Sequence, residues 1–189
     1  MTRILVTGGA GYIGSVATKM LLDANFEVTV IDDCSTGHAD AVDSRATFIQ
    51  GSILEKNALL SALAGCDSVI HFAGKSLVAE SVEKPDLYIT TNVHGTATLL
   101  ECMKETGVRK IVFSSSAATY GEPTTDLIAE DAPTKPTNPY GQSKLEVDRL
   151  LADASTNDGV AAISLRYFNV AGAMKTKDGW LGERHEPET

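Results

Sequence analysis

The sequence predicts an α/β fold built on a doubly wound parallel sheet. Three observations carry the prediction. Short runs rich in β-branched residues alternate with stretches of helical period along most of the chain. Those runs are almost continuously apolar, as strands of a parallel sheet covered on both faces are. The first run leads into TGGAGYIG, four glycines in eight residues, ahead of a helical stretch.

The elements follow in order. Arg3–Thr7 carries Ile4, Leu5 and Val6 and reads as the first strand. Residues 12–24 read as a helix, with Ile13, Val16, Ala17, Met20 and Leu21 on one face. EVTVID, Glu27–Asp32, is the second strand and 46–50 the third. Residues 58–63 lie in a helix that ends before Gly65, and SVIHF, 68–72, is the fourth strand. A long helix is expected over 87–106, closed by Gly107, the residue best suited to a left-handed cap. The fifth strand is placed at 110–114, a polar, proline-bearing loop at 121–139, a helix at 140–153, and the sixth strand at Ala161–Tyr167. Past Phe168 glycine and charged residues take over, and no further strand–helix unit is expected.

Composition narrows the function. The 189 residues suit one domain, or one domain and the start of another. A net charge of −9 without a basic stripe argues against nucleic acid as a partner. No apolar stretch approaches the roughly 20 residues of a membrane span, so no membrane partner is expected. Cys34, Cys66 and Cys102 are odd in number and widely spaced, and the four histidines are scattered. That pattern predicts free thiols and no metal site. With no signal-peptide pattern at Met1-Thr2-Arg3, a cytoplasmic location is expected.

The glycine turn is the first chemical signal. Gly9, Gly11 and Gly14 match G-x-G-x-x-G, and Gly8, Gly11 and Gly14 match G-x-x-G-x-x-G. Between a strand and a helix, such glycines permit a tight turn and close backbone approach to a pyrophosphate. The helix amino end then offers unpaired N–H groups to the phosphates. This is the pattern of a Rossmann-type dinucleotide fold. The second strand ends in Asp32, 18 residues past Gly14, where a carboxylate accepts hydrogen bonds from an adenosine ribose and repels the extra phosphate of NADP. A strand-end Asp also commonly caps a turn. His71-Phe72-Ala73-Gly74 closes the fourth strand with a small pair where a ligand can lie on backbone. Asn92, inside the long helix, is a poor helix former; it either bonds neighbouring backbone or serves a ligand.

The second signal is Tyr140-Gly141-Gln142-Ser143-Lys144, with Ser114-Ser115-Ser116 upstream. Tyr140 and Lys144 are four apart and share a helical face. A tyrosine near its ordinary pKa of ~10 is a poor base at neutral pH, and a neighbouring ammonium favours the phenolate. A serine across the cleft can bond the same substrate oxygen.

The segments TGGAGYIGS, VID, HFAG, ESVEKP, TNVHGT, VFSSSAATYGE, PTNPYGQSK and LRYFNVAGA resemble the extended short-chain dehydrogenase/reductase family, and within it the nucleotide-sugar epimerases. The resemblance covers essentially the whole chain. It implies NAD as cofactor and reversible C4 epimerisation of a UDP-hexose, UDP-glucose or UDP-galactose, through a 4-keto intermediate. The alternatives are another NAD-dependent nucleotide-sugar enzyme of the family, a dehydratase, decarboxylase or reductase, or an NAD-binding fragment without turnover.

The resemblance also implies roles. Tyr140 is the acid/base, Lys144 its partner and holder of the nicotinamide ribose, and Ser116 the contact to the reacting hydroxyl. Gly8, Gly11, Tyr12, Ile13 and Gly14 lie along the pyrophosphate, with Asp32 and Asp33 by the adenosine ribose. Phe72, Ala73, Gly74, Asn92 and Ser114 line the cofactor. Tyr167 and Phe168 sit by the nicotinamide, and Asn169 contacts the sugar nucleotide. Ser52 and Ile53 are implied to line the cofactor at the adenine, with Ser52 standing where the family usually has an adenine-contacting Asp. Lys75-Ser76 and Ala118 also depart from the common pattern. An NAD-binding domain over 1–168 and the start of a substrate region over 169–189 are expected, with the remainder of that region absent from the chain. A homodimer through a four-helix bundle of 87–106 and 140–153 is also implied.

Overall fold

The computed structural model describes residues 1–177 and 179–184. Its centre is a six-stranded parallel sheet in the order β3-β2-β1-β4-β5-β6, from strands β1 (Arg3–Thr7), β2 (Glu27–Asp32), β3 (Thr47–Gln50), β4 (Ser68–His71), β5 (Lys110–Ser116) and β6 (Ala161–Tyr167). The chain winds outward from β1 through β2 to β3. It then crosses back to β4 on the other side of β1 and continues to β6. This reversal is the position at which open α/β sheets bind ligands, at the carboxyl ends of the strands.

Helices α1 (Tyr12–Asp23), α2 (Lys56–Leu63), α3 (Val78–Glu83), α4 (Pro85–Tyr88), α5 (Gly95–Thr106) and α6 (Pro139–Asp158) flank the sheet. The alternation of strand side chains sorts the core into two layers. Leu5, Ile31, Val69, Ile111 and Phe113 point to one face and pack with Leu59 and Leu63 of α2, Leu99 and Met103 of α5, and Val147 and Leu151 of α6. Ile4, Val6, Val28 and Val30 point to the other and pack under Leu21 and Leu22 of α1.

The two faces are not equally covered, which corrects the expectation drawn from strand hydrophobicity. Among the described residues α1 shields β1 and β2, but no helix covers β4, β5 and β6 on that side. A groove of about 410 Å³ runs there along Ile70, Val112 and Ala161. Ile163 stays 59% exposed. An apolar strand thus records the chemistry of both faces without saying whether this chain supplies the cover.

Other departures have local causes. The expected single helix over 87–106 is interrupted: a π-helical segment, Ile89–His94, joins α4 to α5. The wider turn accommodates buried Asn92, whose side chain bonds outward to another loop. β5 runs two residues past the expected end to Ser116, because β6 pairs with it through Ser116↔Tyr167. α6 reaches Asp158 and stops at Gly159 in the left-handed region, rather than at 153. The helix Val78–Glu83 and an antiparallel hairpin, β7 (Ala173–Thr176) with β8 (Gly179–Gly182), were not expected. The hairpin folds back on α1: the Tyr12 hydroxyl donates to the Gly172 carbonyl at 2.6 Å, and Arg184 pairs with Asp40 at 2.8 Å. Beyond it, 185–189 lie outside the described residues.

Candidate active site

The carboxyl edge of the sheet gathers most of the residues singled out from the sequence. The register sets Thr7 beside both Ile31 and His71, and Ser116 beside Tyr167. The loops after β1 and β4 therefore leave the sheet side by side, and they touch. Gly8 has φ +71°, and a Cβ there would lie 2.5 Å from the Ala73 amide nitrogen. A Cβ on Gly14 would overlap the Gly8 carbonyl oxygen. Both glycines are demanded by geometry. Gly11 is the N-cap of α1 and offers no side-chain cap, and the first turn holds no acidic residue. Its amino end is left with backbone donors and a positive dipole, the environment an anion requires.

Asp32 ends β2 and does what a strand-end carboxylate does in a turn. Its Oδ2 accepts from the Ala10 amide at 3.0 Å and its Oδ1 from the Cys34 amide at 2.8 Å. The first bond ties it directly to the glycine turn. Asp33 is exposed and accepts from the Ser35 amide. Ser52 accepts from Leu54 N at 3.3 Å, whereas the Ile53 side chain is buried in the core against Gly95 and does not face the edge.

Asn92 is resolved by the structure as a fastener. Its Oδ1 accepts from the Lys75 amide at 2.7 Å, and its Nδ2 donates to the Lys75 carbonyl at 3.0 Å and to Ser143 Oγ at 2.9 Å. Ser143 donates in turn to the Tyr140 carbonyl at 2.7 Å. The loop after β4 is thereby fixed to the first turn of α6. Asn138 caps that turn, accepting from the Gly141 amide at 2.8 Å, with Pro139 next.

Tyr140 and Lys144 project from α6 towards the end of β5. Lys144 is only 5% exposed. Its Nζ donates to the Ser114 carbonyl at 2.8 Å and lies 4.8 Å from the centre of the Phe113 ring and 5.9 Å from that of Tyr140. Burial pulls the ammonium down to about 8, and Asp148 acts against that pull. Burial pushes the Tyr140 phenol up, and a hydrogen bond with Ser116 pulls it back. The sequence named the ammonium as the group that favours the phenolate; in the folded chain burial opposes it and the Ser116 hydrogen bond assists it. Ser116 Oγ also accepts from Ala118 N at 3.1 Å, which turns the chain out of β5. The edge of Tyr140 meets the ring of buried Tyr88, centroids 6.4 Å apart.

Sequence reasoning missed a buried network beneath the site. His71 is fully enclosed, with Nδ1 2.6 Å from Thr7 Oγ1 and Nε2 2.9 Å from Thr96 Oγ1. The Thr96 hydroxyl proton is committed to the Asn92 carbonyl at 2.6 Å. Nε2 must then be the donor to Thr96, and the Thr7 hydroxyl donates to Nδ1. Thr7 Oγ1 accepts from Ala73 N at 3.3 Å. Burial, reinforced by the Lys144 charge, lowers His71 to about 3 and keeps it neutral. A histidine at a strand end beside HFAG was visible, but its partners lie 64 and 25 residues away in sequence.

Three singled-out residues are less enclosed. Tyr167 is half-buried at the end of β6, opposite Ser116. Phe168 is 68% exposed, and Asn169 is exposed beyond it. The described residues hold no group of three His, Cys, Asp or Glu side chains that could bind a metal, and no helix long and apolar enough to cross a membrane.

The sequence matches the NAD dependent epimerase/dehydratase family over residues 4–182. UDP-glucose 4-epimerase of Corynebacterium glutamicum is 49% identical over 99% of this chain and 56% of its own length. That of Lacticaseibacillus casei is 50% identical over 98% and 56%. Among solved structures, UDP-glucose 4-epimerase from Brucella ovis in complex with NAD superposes with a TM-score of 0.95 at 42% identity, over all of this chain and 58% of that one. The Bifidobacterium longum enzyme in complex with NAD⁺ and UDP gives 0.91 at 37% identity, over 96% and 57%. The chain spans about 56% of the length of these curated relatives.

Proposed function

The chain belongs to the NAD dependent epimerase/dehydratase family, and from that premise we propose that it is the NAD-binding and proton-transfer part of a UDP-hexose 4-epimerase. The observation that carries this reading is the placement of Tyr140, Lys144 and Ser116 at the sheet edge, beside the glycine turn after β1.

The residues fit NAD on the structure's own terms. The uncapped amino end of α1 and the turn at Gly8, Gly11 and Gly14 suit the pyrophosphate, with Tyr12 and Ile13 in the first helical turn. Asp32 and Asp33 stand where the adenosine ribose is expected, and Ser52 near the adenine. Phe72, Ala73 and Gly74 form the floor between the two loops. Lys144 has N–H donors beyond the one given to Ser114 and can serve the nicotinamide ribose. When bound, NAD supplies the site for hydride transfer to and from C4 of the sugar.

The chain's own groups handle the proton. Tyr140 accepts it from the sugar 4-hydroxyl as phenolate and returns it to the 4-keto oxygen as phenol. Burial favours the phenol, so phenolate formation relies on the Lys144 ammonium and the Ser116 hydroxyl. Ser116 bonds the same sugar oxygen and holds it in line. The Asn92 fastening keeps the Gly74–Lys75 loop and α6 in register, so the floor and the base move as one body. Tyr167, Phe168 and Asn169 would complete the nicotinamide and sugar-nucleotide side.

The reading extends to a homodimer through α5 and α6, which lie against each other in this chain, and, from the similarity to UDP-glucose 4-epimerases, to an enzyme of galactose metabolism in the cytoplasm. The test is turnover of UDP-galactose to UDP-glucose by the full-length parent protein and its Tyr140→Phe variant. The variant should lose nearly all turnover while still binding NAD. Near-normal turnover would remove Tyr140 as the base.

A further inference from the structure

Asp148 occupies a place that the proton chemistry above does not use. It sits one turn beyond Lys144 on α6, so Tyr140, Lys144 and Asp148 form a column at four-residue spacing along one face. Its side chain is only 9% exposed. Oδ2 accepts from Arg166 Nε at 3.1 Å, while Oδ1 is buried without a hydrogen-bond partner. A buried carboxylate with one oxygen unmet is costly unless a nearby charge compensates it. Arg166 is engaged elsewhere as well: Nη1 donates to the Tyr120 hydroxyl at 2.9 Å and to the Glu130 carbonyl at 3.2 Å.

Resting on the reading of Lys144 as an NAD-binding ammonium, we propose that Asp148 is a positioning residue that keeps Lys144 protonated inside the protein, with Arg166 holding the carboxylate in place.

The surroundings single out Asp148. From β4, neutral His71 faces Lys144; from β5, the Ser114 carbonyl and the Phe113 ring; from α6, the Tyr140 phenol. Around Asp148, β6 contributes Arg166, and the three-residue-per-turn segment Ala117–Tyr120 contributes Tyr120. From α4 the Tyr88 ring meets Tyr140, while Glu80 of α3 is held by Lys84 and the Tyr88 hydroxyl. From α5, Lys104 pairs with Asp158 at the far end of α6. On α6 itself, Glu146 is taken by Arg149 and Gln142. Burial lowers Lys144 to about 8, and Asp148 is the charge that opposes it.

The experiment measures NAD affinity of this 189-residue chain by calorimetry from pH 6 to 9. Binding favours the ammonium, so wild-type affinity should be full at pH 6 and fall as pH rises through about 8. Asp148→Asn keeps shape and removes charge; its fall should begin about one pH unit lower. It should bind as wild type at pH 6 and roughly fivefold more weakly at pH 8. A purely structural role would weaken binding equally at every pH, and an unchanged midpoint with that uniform loss would overturn the proposal. So would a wild-type affinity independent of pH. Asp148→Glu should restore the wild-type midpoint. Should Asp148→Asn not fold, Asp148→Ser decides: it also removes the charge and leaves Arg166 its other partners, so a midpoint about one pH unit below wild type supports the proposal and an unchanged one overturns it. Failure of the wild type to bind NAD at any pH would instead remove the functional reading itself.

Discussion

Lys144 donates to the carbonyl oxygen of Ser114 at 2.8 Å, and this bond anchors a buried cation between α6 and β5. The cation is held at a cost, since burial lowers it from 10.5 to about 8. That shift corresponds to about 3 kcal/mol. Lys144→Met removes the charge and keeps most of the length, but leaves the Ser114 carbonyl short of a partner, worth about 1 kcal/mol. The variant should therefore be more stable by about 2 kcal/mol at pH 7 while losing NAD affinity. The unfolded chain binds the proton more tightly here, so wild-type stability rises between pH 8 and 10.5 and the advantage of Met should vanish across that window. Urea denaturation at pH 7 and pH 10.5 measures both.

His71 makes the fold acid-sensitive. Its folded value of about 3 lies below the 6.5 of an ordinary imidazole, so the unfolded state gains protons first as pH falls. Stability should decline from pH 6.5 downwards, by roughly 3 kcal/mol at pH 4.5. His71→Leu should be less stable at pH 7, because the Thr7 and Thr96 hydroxyls lose a partner, but its stability should be flatter from 6.5 to 4.5. Asp43, held near 2 by Arg45, contributes only below that range. Urea midpoints across the range would expose a parallel decline in both proteins, which would contradict the assignment.

Asp32 should decide between the two nicotinamide cofactors. Calorimetry should show NAD bound more tightly than NADP, and Asp32→Ala should narrow the gap. The variant should also melt lower, because the Ala10 and Cys34 amides lose their acceptor. Equal affinities in the wild type would contradict the ribose assignment.

Two glycine substitutions separate turn geometry from space. Gly14→Ala drives a methyl into the Gly8 carbonyl and should abolish NAD binding through the distorted turn. Gly107→Ala meets nothing within 4 Å and has only its φ of +80° to resist it. It should cost about 1 kcal/mol and leave binding intact.

Cys34, Cys66 and Cys102 form no disulfide, so thiol titration in denaturant without reductant should count three. In the folded chain Cys66 and Cys102 are buried and should react slowly. Cys34 is half-buried, and burial together with Asp32 and Asp33 pushes its thiol up, so it should be slow at pH 7 and quicken as pH rises.

The strands, the glycine turn and the Tyr140–Lys144 face were readable along the chain because each depends on period or spacing within a few residues. Asp32 was readable as a position, but not as the acceptor of Ala10 and Cys34. The break in the expected helix 87–106 was hidden because its cause, the bonds from Asn92 to Lys75 and Ser143, spans 17 and 51 residues. The hairpin after β6 was hidden because two four-residue strands carry too little periodic signal, and the contacts that hold it lie on Tyr12 and Asp40.

The sequence by itself determined the α/β order, the strand ends that would meet at one edge and the residue types gathered there. Local spacing and side-chain chemistry suffice for those. Only the tertiary structure decided which hydroxyls partner His71, that Asn92 serves as a fastener, that Lys144 is buried under the influence of Asp148, and that among the described residues no helix lies over one face of β4 to β6. Each of those depends on which distant segments the sheet brings within a few ångströms, where burial strengthens every charge and hydrogen bond.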